Sequence, residues 1–137
     1  KPPYRRITAI NLNTGEHEWQ IPLGKGPTDH PAIAHLELGD LGSVFSDVVA
    51  EGGVLVTKSL VISYLAAKDE IGPEETGSIL VAFDKTNGTK AGEVFVDQRL
   101  HGPIMSYQHD EIQYIAVAGG GRDNDAELLV FKLGNTP

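Results

Sequence analysis

The chain has 137 residues, enough for one domain with a modest core, and its 40% hydrophobic and 22% charged residues are typical of a globular protein. A net charge of −8, with the 11 basic residues scattered along the chain, argues against nucleic acid as a partner. The lack of cysteine excludes disulfides and thiolate metal sites, and no apolar run reaches the roughly 18 residues of a membrane-spanning helix.

The first predicted element is a β-hairpin that ends in the only tryptophan of the chain. Residues 6–12 alternate with a period of two, and residues 16–21 follow as a second strand. Between them lie Asn13, Thr14 and Gly15; Asn bonds its own backbone, and Gly takes the positive φ that a tight turn needs. Trp19 is predicted to lay its large ring across a joint between two structural units. A core tryptophan without modular meaning is the alternative.

A second copy of this hairpin is predicted at residues 79–92. Four of its residues mirror four of the first copy in order: Ala82, Asp84, Asn87 and Gly88 correspond to Ala9, Asn11, Thr14 and Gly15. Gly92 stands where the first copy has its tryptophan. Internal repetition of a strand-turn-strand unit indicates a propeller or a solenoid. The copies lie 73 residues apart, more than the roughly 40–50 of one blade, so an insertion is expected between them.

The predicted insertion is a long loop, residues 24–53, rich in Gly and Pro and without a clear period. A short helical turn is expected near residues 32–36. Strands follow at 54–57 and 60–66, where the apolar run 60–62 indicates a strand covered on both faces. The acidic stretch 68–77 is predicted to be a solvated turn.

The strands resume around Asn87 and Gly88, which completes a four-stranded unit over residues 54–97. A third unit is predicted from strands at 102–107, 113–118 and 127–133, with a turn at 109–111 and a loop at 119–125. The strand count of two, four and three predicts an all-β meander. Its predicted divisions are the end of one blade (1–23), the insertion loop (24–53), a complete blade (54–97) and a partial last blade (101–133).

Several segments together resemble a known family. In chain order they are GPTDHPAI (26–33), GGVLVTKSL (52–60), AFDKTNG (82–88), GPIMSY (102–107) and QYIAVAGGG (113–121). They are similar, in this order, to the C-terminal part of pyrroloquinoline-quinone (PQQ)-dependent dehydrogenases, the glucose-dehydrogenase-like quinoproteins. The resemblance implies a partial β-propeller: two to three four-stranded antiparallel blades out of eight, joined by a tryptophan motif. Gly92 departs from that motif.

The resemblance also implies a function. Its members oxidise small alcohols or sugars in the periplasm with PQQ and calcium on the propeller axis, and the catalytic base and calcium ligands lie in earlier blades. The chain alone is therefore expected to be catalytically incomplete, and it is left open whether it binds PQQ or calcium. The expected partners are the remaining blades, or a second copy of the chain, because Trp19 and residues 60–62 would otherwise be wetted. The alternative is a non-enzymatic propeller module that serves as a protein-binding scaffold.

The N-terminus, Lys1 to Tyr4, lacks the pattern of a signal peptide. We therefore expect either a mature product or a piece of a longer protein.

His101, Gly102 and Pro103 are the predicted cofactor-binding residues. They open an innermost strand, and the innermost strands of a propeller line its channel. The alternative is a strand-entry turn with an exposed imidazole.

The other histidines and polar motifs are predicted to be structural. The remaining histidines, His17, His30, His35 and His109, lack metal-binding spacing, and His30 is expected to bond a backbone carbonyl of the loop. Residues 123–125 resemble the start of a calcium loop but lack its glycine and glutamate, so they predict a polar turn. The acceptor-like Asn87-Gly88-Thr89 predicts turn chemistry rather than glycosylation.

Overall fold

Nine β-strands and two short 3-10 helices form the described part of the chain, residues 2–43, 53–72, 74–120 and 125–132 of a computed structural model. The strands are β1 Arg6–Ile10, β2 His17–Pro22, β3 Leu55–Val56, β4 Leu60–Ala66, β5 Ser78–Asp84, β6 Lys90–Val96, β7 Leu100–His109, β8 Ile112–Gly119 and β9 Glu127–Lys132. The 3-10 helices are Ala34–Leu36 and Ala67–Asp69. None of the helices within these ranges is long and apolar enough to cross a membrane. The all-β architecture is the predicted one.

Three antiparallel sheets account for the strands. β1 and β2 form the first sheet, β3 to β6 the second in chain order, and β7 to β9 the third. Sequential strands are hydrogen-bonded neighbours throughout, so each sheet is a simple meander. The three sheets stack face to face, with a hydrophobic cluster in each of the two joints between them.

The first joint lies between the first and second sheets. Its buried cluster combines side chains from both: Val61, Leu65, Ile79, Val81 and Phe83 of the second sheet pack with Leu23, Ala67, Ile7, Trp19 and Ile21. The Trp19 indole Nε1 donates a hydrogen bond of 3.0 Å to the Lys85 carbonyl, in the turn between β5 and β6. A Cβ at position 88 would lie 2.8 Å from Cε3 of this ring, so the indole rests directly on Gly88. The predicted role of Trp19, a ring laid across a joint, is confirmed.

Lys85 ties three segments together at this joint. Its carbonyl accepts from the Trp19 indole, its backbone amide donates to the Ser59 carbonyl at 2.9 Å, and its Nζ donates to the Thr57 carbonyl at 3.2 Å. The turn on which Trp19 rests is thereby fixed to the turn between β3 and β4.

The second joint lies between the second and third sheets. Ile62, Tyr64 and Leu80 of the second sheet face Ile115 and Val117 of the third, and all five are buried. Side chains alternate across a strand, which is why neighbours Val61 and Ile62 enter different joints. The prediction that strand 60–66 is covered on both faces is confirmed. The expected wetting of Val61 and Ile62 is wrong, because the two flanking sheets bury them, whereas Trp19 and Leu60 are half-buried.

One uncovered apolar surface among the described residues is the outer face of the third sheet. Met105, Tyr107, Leu128 and Val130 lie on this face with exposures of 54%, 43%, 65% and 47%. Tyr107 stacks on Tyr114, with ring centroids 5.2 Å apart. A β-sheet face of this character is built to be covered by another layer.

Residues 24–43 of the insertion loop, which the structure describes, are anchored at the base of the loop. The Leu41 amide donates to the Lys25 carbonyl at 2.9 Å, and the Ser43 amide donates to the Leu23 carbonyl at 3.0 Å. We call residues 23–25 and 41–43 the loop stem. The predicted helical turn is the 3-10 helix Ala34–Leu36. Among the described residues, the His30 imidazole does not donate to a backbone carbonyl as expected: its Nδ1 accepts from the Ala32 amide at 3.2 Å, and it is the His30 backbone amide that donates to the Pro27 carbonyl at 3.2 Å.

Two other expectations about turns can be checked against the structure. The Asn87 side chain accepts from both the amide and the hydroxyl of Thr89, so the acceptor-like sequence does form a turn. The acidic stretch 68–77 is not uniformly solvated: Glu70 is half-buried and accepts a hydrogen bond from the loop stem. Of the calcium-loop motif at 123–125, the first two residues lie outside the described part of the chain.

Candidate functional site at the start of the third sheet

The three predicted cofactor-binding residues lie at the start of β7, in a wide bulge. His101 pairs with Ala118 and Met105 pairs with Ala116, so three residues of β7 stand opposite one residue of β8. Gly102, with φ of +70°, takes the left-handed conformation that the bulge requires. Such bulges re-aim side chains and release backbone groups from the ladder, which is what a binding site on a strand needs.

His101 is held by the loop that follows β8. Its Nε2 lies 2.8 Å from the Gly120 carbonyl oxygen, and because a carbonyl can only accept, Nε2 carries the hydrogen. The imidazole at this strand entry is half-buried rather than fully exposed. The remaining ring nitrogen, Nδ1, is thus the position at which a neutral imidazole can accept a hydrogen bond.

Gly102 is held from the second sheet. The hydroxyl of Tyr64 donates to the Gly102 carbonyl at 2.9 Å across the second joint. Tyr64 is 1% exposed, and burial raises the pKa of its phenol, with the positive charge of Arg5 acting in the opposite direction. The phenol therefore remains a neutral donor at physiological pH, and it fixes the bulge backbone.

Sequence reasoning missed Tyr64 and Gly120, which position the predicted residues. A signal for Tyr64 was available: a tyrosine inside an apolar strand run needs a partner for its hydroxyl when it is buried. No such signal exists for the Gly120 carbonyl, because any backbone carbonyl can accept from a histidine.

The bulge lies on an edge that two sheets share. β7 is the edge strand of the third sheet, β3 is the corresponding edge strand of the second, and these two strands contact each other. On the side where a Gly102 side chain would project, a Cβ would meet no atom within 4 Å. The backbone at Gly102 is therefore open to close approach by a flat ligand, and His101 offers one polar group beside it.

A metal site does not emerge from the same residues. Within the described ranges, no group of three or more His, Asp or Glu side chains is arranged to hold a metal ion.

The repeated hairpin supports the modular interpretation in detail. Ala9 pairs with Trp19 in the first copy, and Ala82 pairs with Gly92 in the second, with a register shift after each alanine. In both copies the side chain at the start of the turn, Asn11 or Asp84, accepts backbone amide hydrogen bonds two residues on.

Comparison with known proteins agrees with this architecture. Residues 1–115 match the glucose/ethanol/alcohol dehydrogenase β-propeller domain that characterises PQQ enzymes. The chain belongs to the PQQ-dependent dehydrogenase propeller family. Membership confirms the predicted resemblance, and it confirms that the stacked sheets are part of a β-propeller.

One curated relative adds detail to the family assignment. The chain is 27% identical over 123 residues to the quinate/shikimate dehydrogenase (quinone) of Acinetobacter baylyi. This similarity covers 88% of the chain but 14% of that enzyme, so the chain spans about one-seventh of the length of this relative. No solved structure matches the chain significantly.

Proposed function

We propose that this chain is the C-terminal propeller portion of a PQQ-dependent dehydrogenase that oxidises a small alcohol or sugar. The observation that carries the proposal is the docking of Trp19 on Gly88 in a repeated hairpin, within a chain that belongs to the PQQ propeller family. The periplasm is the proposed location, because the resemblance places such enzymes there.

In this proposal, the chain contributes one edge of the cofactor site. His101 would offer its Nδ1 to PQQ, and the open backbone at Gly102, next to Pro103, would let the flat ring approach closely. The Tyr64–Gly102 and His101–Gly120 hydrogen bonds hold this edge in place. When bound, PQQ would supply the two-electron acceptor for oxidation of a CH–OH group, and other blades would supply calcium and its ligands.

The outer face of the third sheet is the proposed contact with the rest of the propeller. In a longer polypeptide, the remaining blades would cover Met105, Leu128 and Val130. The chain alone would cover them by associating with itself. Sedimentation at micromolar concentrations should then show oligomers, and Val130→Lys should shift them towards monomer. A monodisperse monomer of the unsubstituted chain would contradict this part of the proposal.

The catalytic proposal is tested with the polypeptide encoded by the whole reading frame that contains the chain. It should bind PQQ with calcium and then reduce an artificial electron-accepting dye with one of four substrates: glucose, ethanol, quinate or shikimate. The first two follow the family description and the last two follow the name of the relative. If this polypeptide fails to bind PQQ, the scaffold alternative replaces the enzyme.

The site itself is tested by a matched pair of histidine variants. His101→Ala should weaken PQQ binding by about fivefold, the value of one hydrogen bond of roughly 1 kcal/mol. His109→Ala is the control, because His109 lies at the end of β7, next to the hairpin turn, and its side chain is 74% exposed. Equal PQQ affinity in the two variants would show that His101 does not contact the cofactor.

A further inference from the structure

A hydrogen bond at Glu70 connects the insertion loop to the segment between β4 and β5 of the second sheet. Glu70 follows the 3-10 helix Ala67–Asp69, between β4 and β5, and its Oε2 accepts from the Lys25 backbone amide at 3.1 Å. Lys25 belongs to the loop stem, whose two arms are paired by the Leu41–Lys25 and Ser43–Leu23 hydrogen bonds. The Glu70 carboxyl thus connects a loop to a sheet across 45 residues of sequence.

The Glu70 carboxyl lines a cavity whose walls include four charged side chains. The cavity has a volume of about 290 Å³ and lies between the loop stem and the second sheet. Its charged side chains are Asp40 from the loop, Glu70, and Lys90 and Glu93 from β6. Its apolar walls include Ile21, Leu65, Val81 and Phe83. Three carboxyl groups therefore share one half-apolar space with a single ammonium group, and that ammonium is bonded to Glu93 at 2.7 Å.

The surroundings of Glu70 disfavour its charged form. Burial raises the pKa of this carboxyl above its ordinary value of 4.5, and the negative charges of Asp40 and Glu93 raise it further. The Lys25 amide and the Lys90 ammonium act in the opposite direction without reversing the shift.

We propose that the Glu70 carboxyl is a proton-operated latch that holds the loop stem against the second sheet when protonated and loosens it when ionised. A protonated carboxyl still accepts the Lys25 hydrogen bond through its carbonyl oxygen, and it no longer repels Asp40, which is part of the loop. An ionised carboxyl keeps the hydrogen bond but adds repulsion towards Asp40 and Glu93.

The direction in which pH changes the stability follows from the coupling between proton binding and folding. A carboxyl whose pKa is higher in the folded state than in the unfolded state binds its proton more tightly when the protein is folded. Its contribution to stability is therefore complete below the unfolded value and is lost as the pH rises through the folded value. The loop stem is held most firmly in acid and less firmly at neutral pH.

The latch is adjacent to the joint that Trp19 closes. Ile21 and Gly88 line the cavity, and the Trp19 ring rests on Gly88. Loosening of the stem therefore admits water beside the indole. Because Trp19 is the only tryptophan in the chain, its emission reports on this region alone.

The experiment follows the Lys25 amide by NMR across an acid-to-neutral titration of the full chain. In the unsubstituted chain, the Lys25 amide resonance should titrate with a midpoint above 4.5, while amide protection at Leu41 and Ser43 falls and Trp19 emission shifts to the red. Glu70→Gln keeps a hydrogen-bond acceptor but cannot ionise. It should abolish the Lys25 titration and keep the acid-state protection at neutral pH. Glu75 lies, like Glu70, between β4 and β5, but it is exposed. Glu75→Gln should therefore behave like the unsubstituted chain.

Two further variants test the electrostatic origin. Asp40→Asn should lower the midpoint, because it removes a like charge, and Lys90→Met should raise it, because it removes an opposite one. A Lys25 midpoint at or below 4.5 would overturn the latch, as would stem protection that falls equally in the unsubstituted chain and in Glu70→Gln. Neither outcome bears on PQQ binding, so the proposed dehydrogenase role is tested separately.

Discussion

The two copies of the hairpin are alike in the backbone of their turns and differ in the side chain that could dock on a neighbouring sheet. In each copy, an alanine of the first strand pairs with a residue of the second strand, and the strand register shifts directly after that alanine. In each copy, a glycine with φ near +75° lies in the turn. In the first copy the residue opposite the alanine is Trp19, which docks on the second sheet. In the second copy it is Gly92, where a Cβ would meet nothing within 4 Å.

The hairpin turn therefore forms whether or not a tryptophan packs against the neighbouring sheet. Turn geometry is set by short-range hydrogen bonds from Asn11 or Asp84 and by glycine at positive φ, so it persists without a tryptophan. The second joint is closed by other means: buried apolar side chains and the Tyr64 hydroxyl. Four comparisons test this contrast.

The largest effect is expected from Trp19→Ala. It removes a half-buried indole and its hydrogen bond to Lys85, and it should lower the free energy of unfolding by about 3 kcal/mol. Gly92→Ala places the same residue at the equivalent position of the second copy, in open space, and should change stability by less than about 0.5 kcal/mol. Urea unfolding followed by circular dichroism measures both. Similar losses in the two variants would show that the copies are not distinguished by docking.

A somewhat smaller effect is expected from Gly88→Ala. The new Cβ is strained by φ of +74° and would press on the Trp19 ring at 2.8 Å, for a loss of about 2–3 kcal/mol. Gly15→Ala carries the same strain at φ of +77° but meets nothing, so it should lose about 1 kcal/mol. The same unfolding measurement gives the difference, which isolates the contact with Trp19. If both variants lose equally, the ring does not rest on Gly88 in solution.

Tyr64→Phe tests the second joint. It leaves the Gly102 carbonyl without its phenol donor and should destabilise the chain by about 1 kcal/mol. Tyr107→Phe, which removes a hydroxyl from the exposed face of the third sheet, should stay within about 0.5 kcal/mol. Hydrogen exchange at residues 101–104 should also accelerate in Tyr64→Phe. Unchanged exchange there would mean that the phenol does not hold the bulge.

The smallest expected effect is a difference between the two turns in how their contribution to stability depends on pH. The Thr86 hydroxyl and amide bond the Asp84 carboxylate and hold its pKa below the ordinary 3.8, whereas Asn11 at the equivalent place cannot ionise. A lowered folded pKa contributes stability above the unfolded value and loses it as the pH falls through the folded one. The unsubstituted chain should therefore lose a small increment of stability below 3.8 that Asp84→Asn does not lose. Urea midpoints compared at neutral and acid pH measure it, and an equal acid loss in both would contradict the assignment.

Much of the fold could be read from local patterns. Period-two alternation located the strands, and Asn-Thr-Gly or Asn-Gly located the hairpin turns, because both signals arise from neighbours in sequence. The apolar run at 60–62 indicated burial on both faces for the same reason.

What could not be read depends on distant partners. Whether Glu70 is solvated depends on Lys25 and Asp40, far away in sequence, and the bond from His101 to Gly120 depends on how a loop folds back. The cofactor role of residues 101–103 stays a prediction, and the residues that hold this segment, Tyr64 above all, required the structure.

The composition of the first joint has a thermal consequence. Trp19, Ile7, Ile21, Val81 and Phe83 meet there mainly through apolar contacts, with few polar groups crossing. Apolar association weakens on cooling, because its driving force near room temperature is largely entropic and carries a large heat-capacity change. Refrigeration should therefore loosen the attachment of the first hairpin, whereas sulfate and other excluded solutes should tighten it.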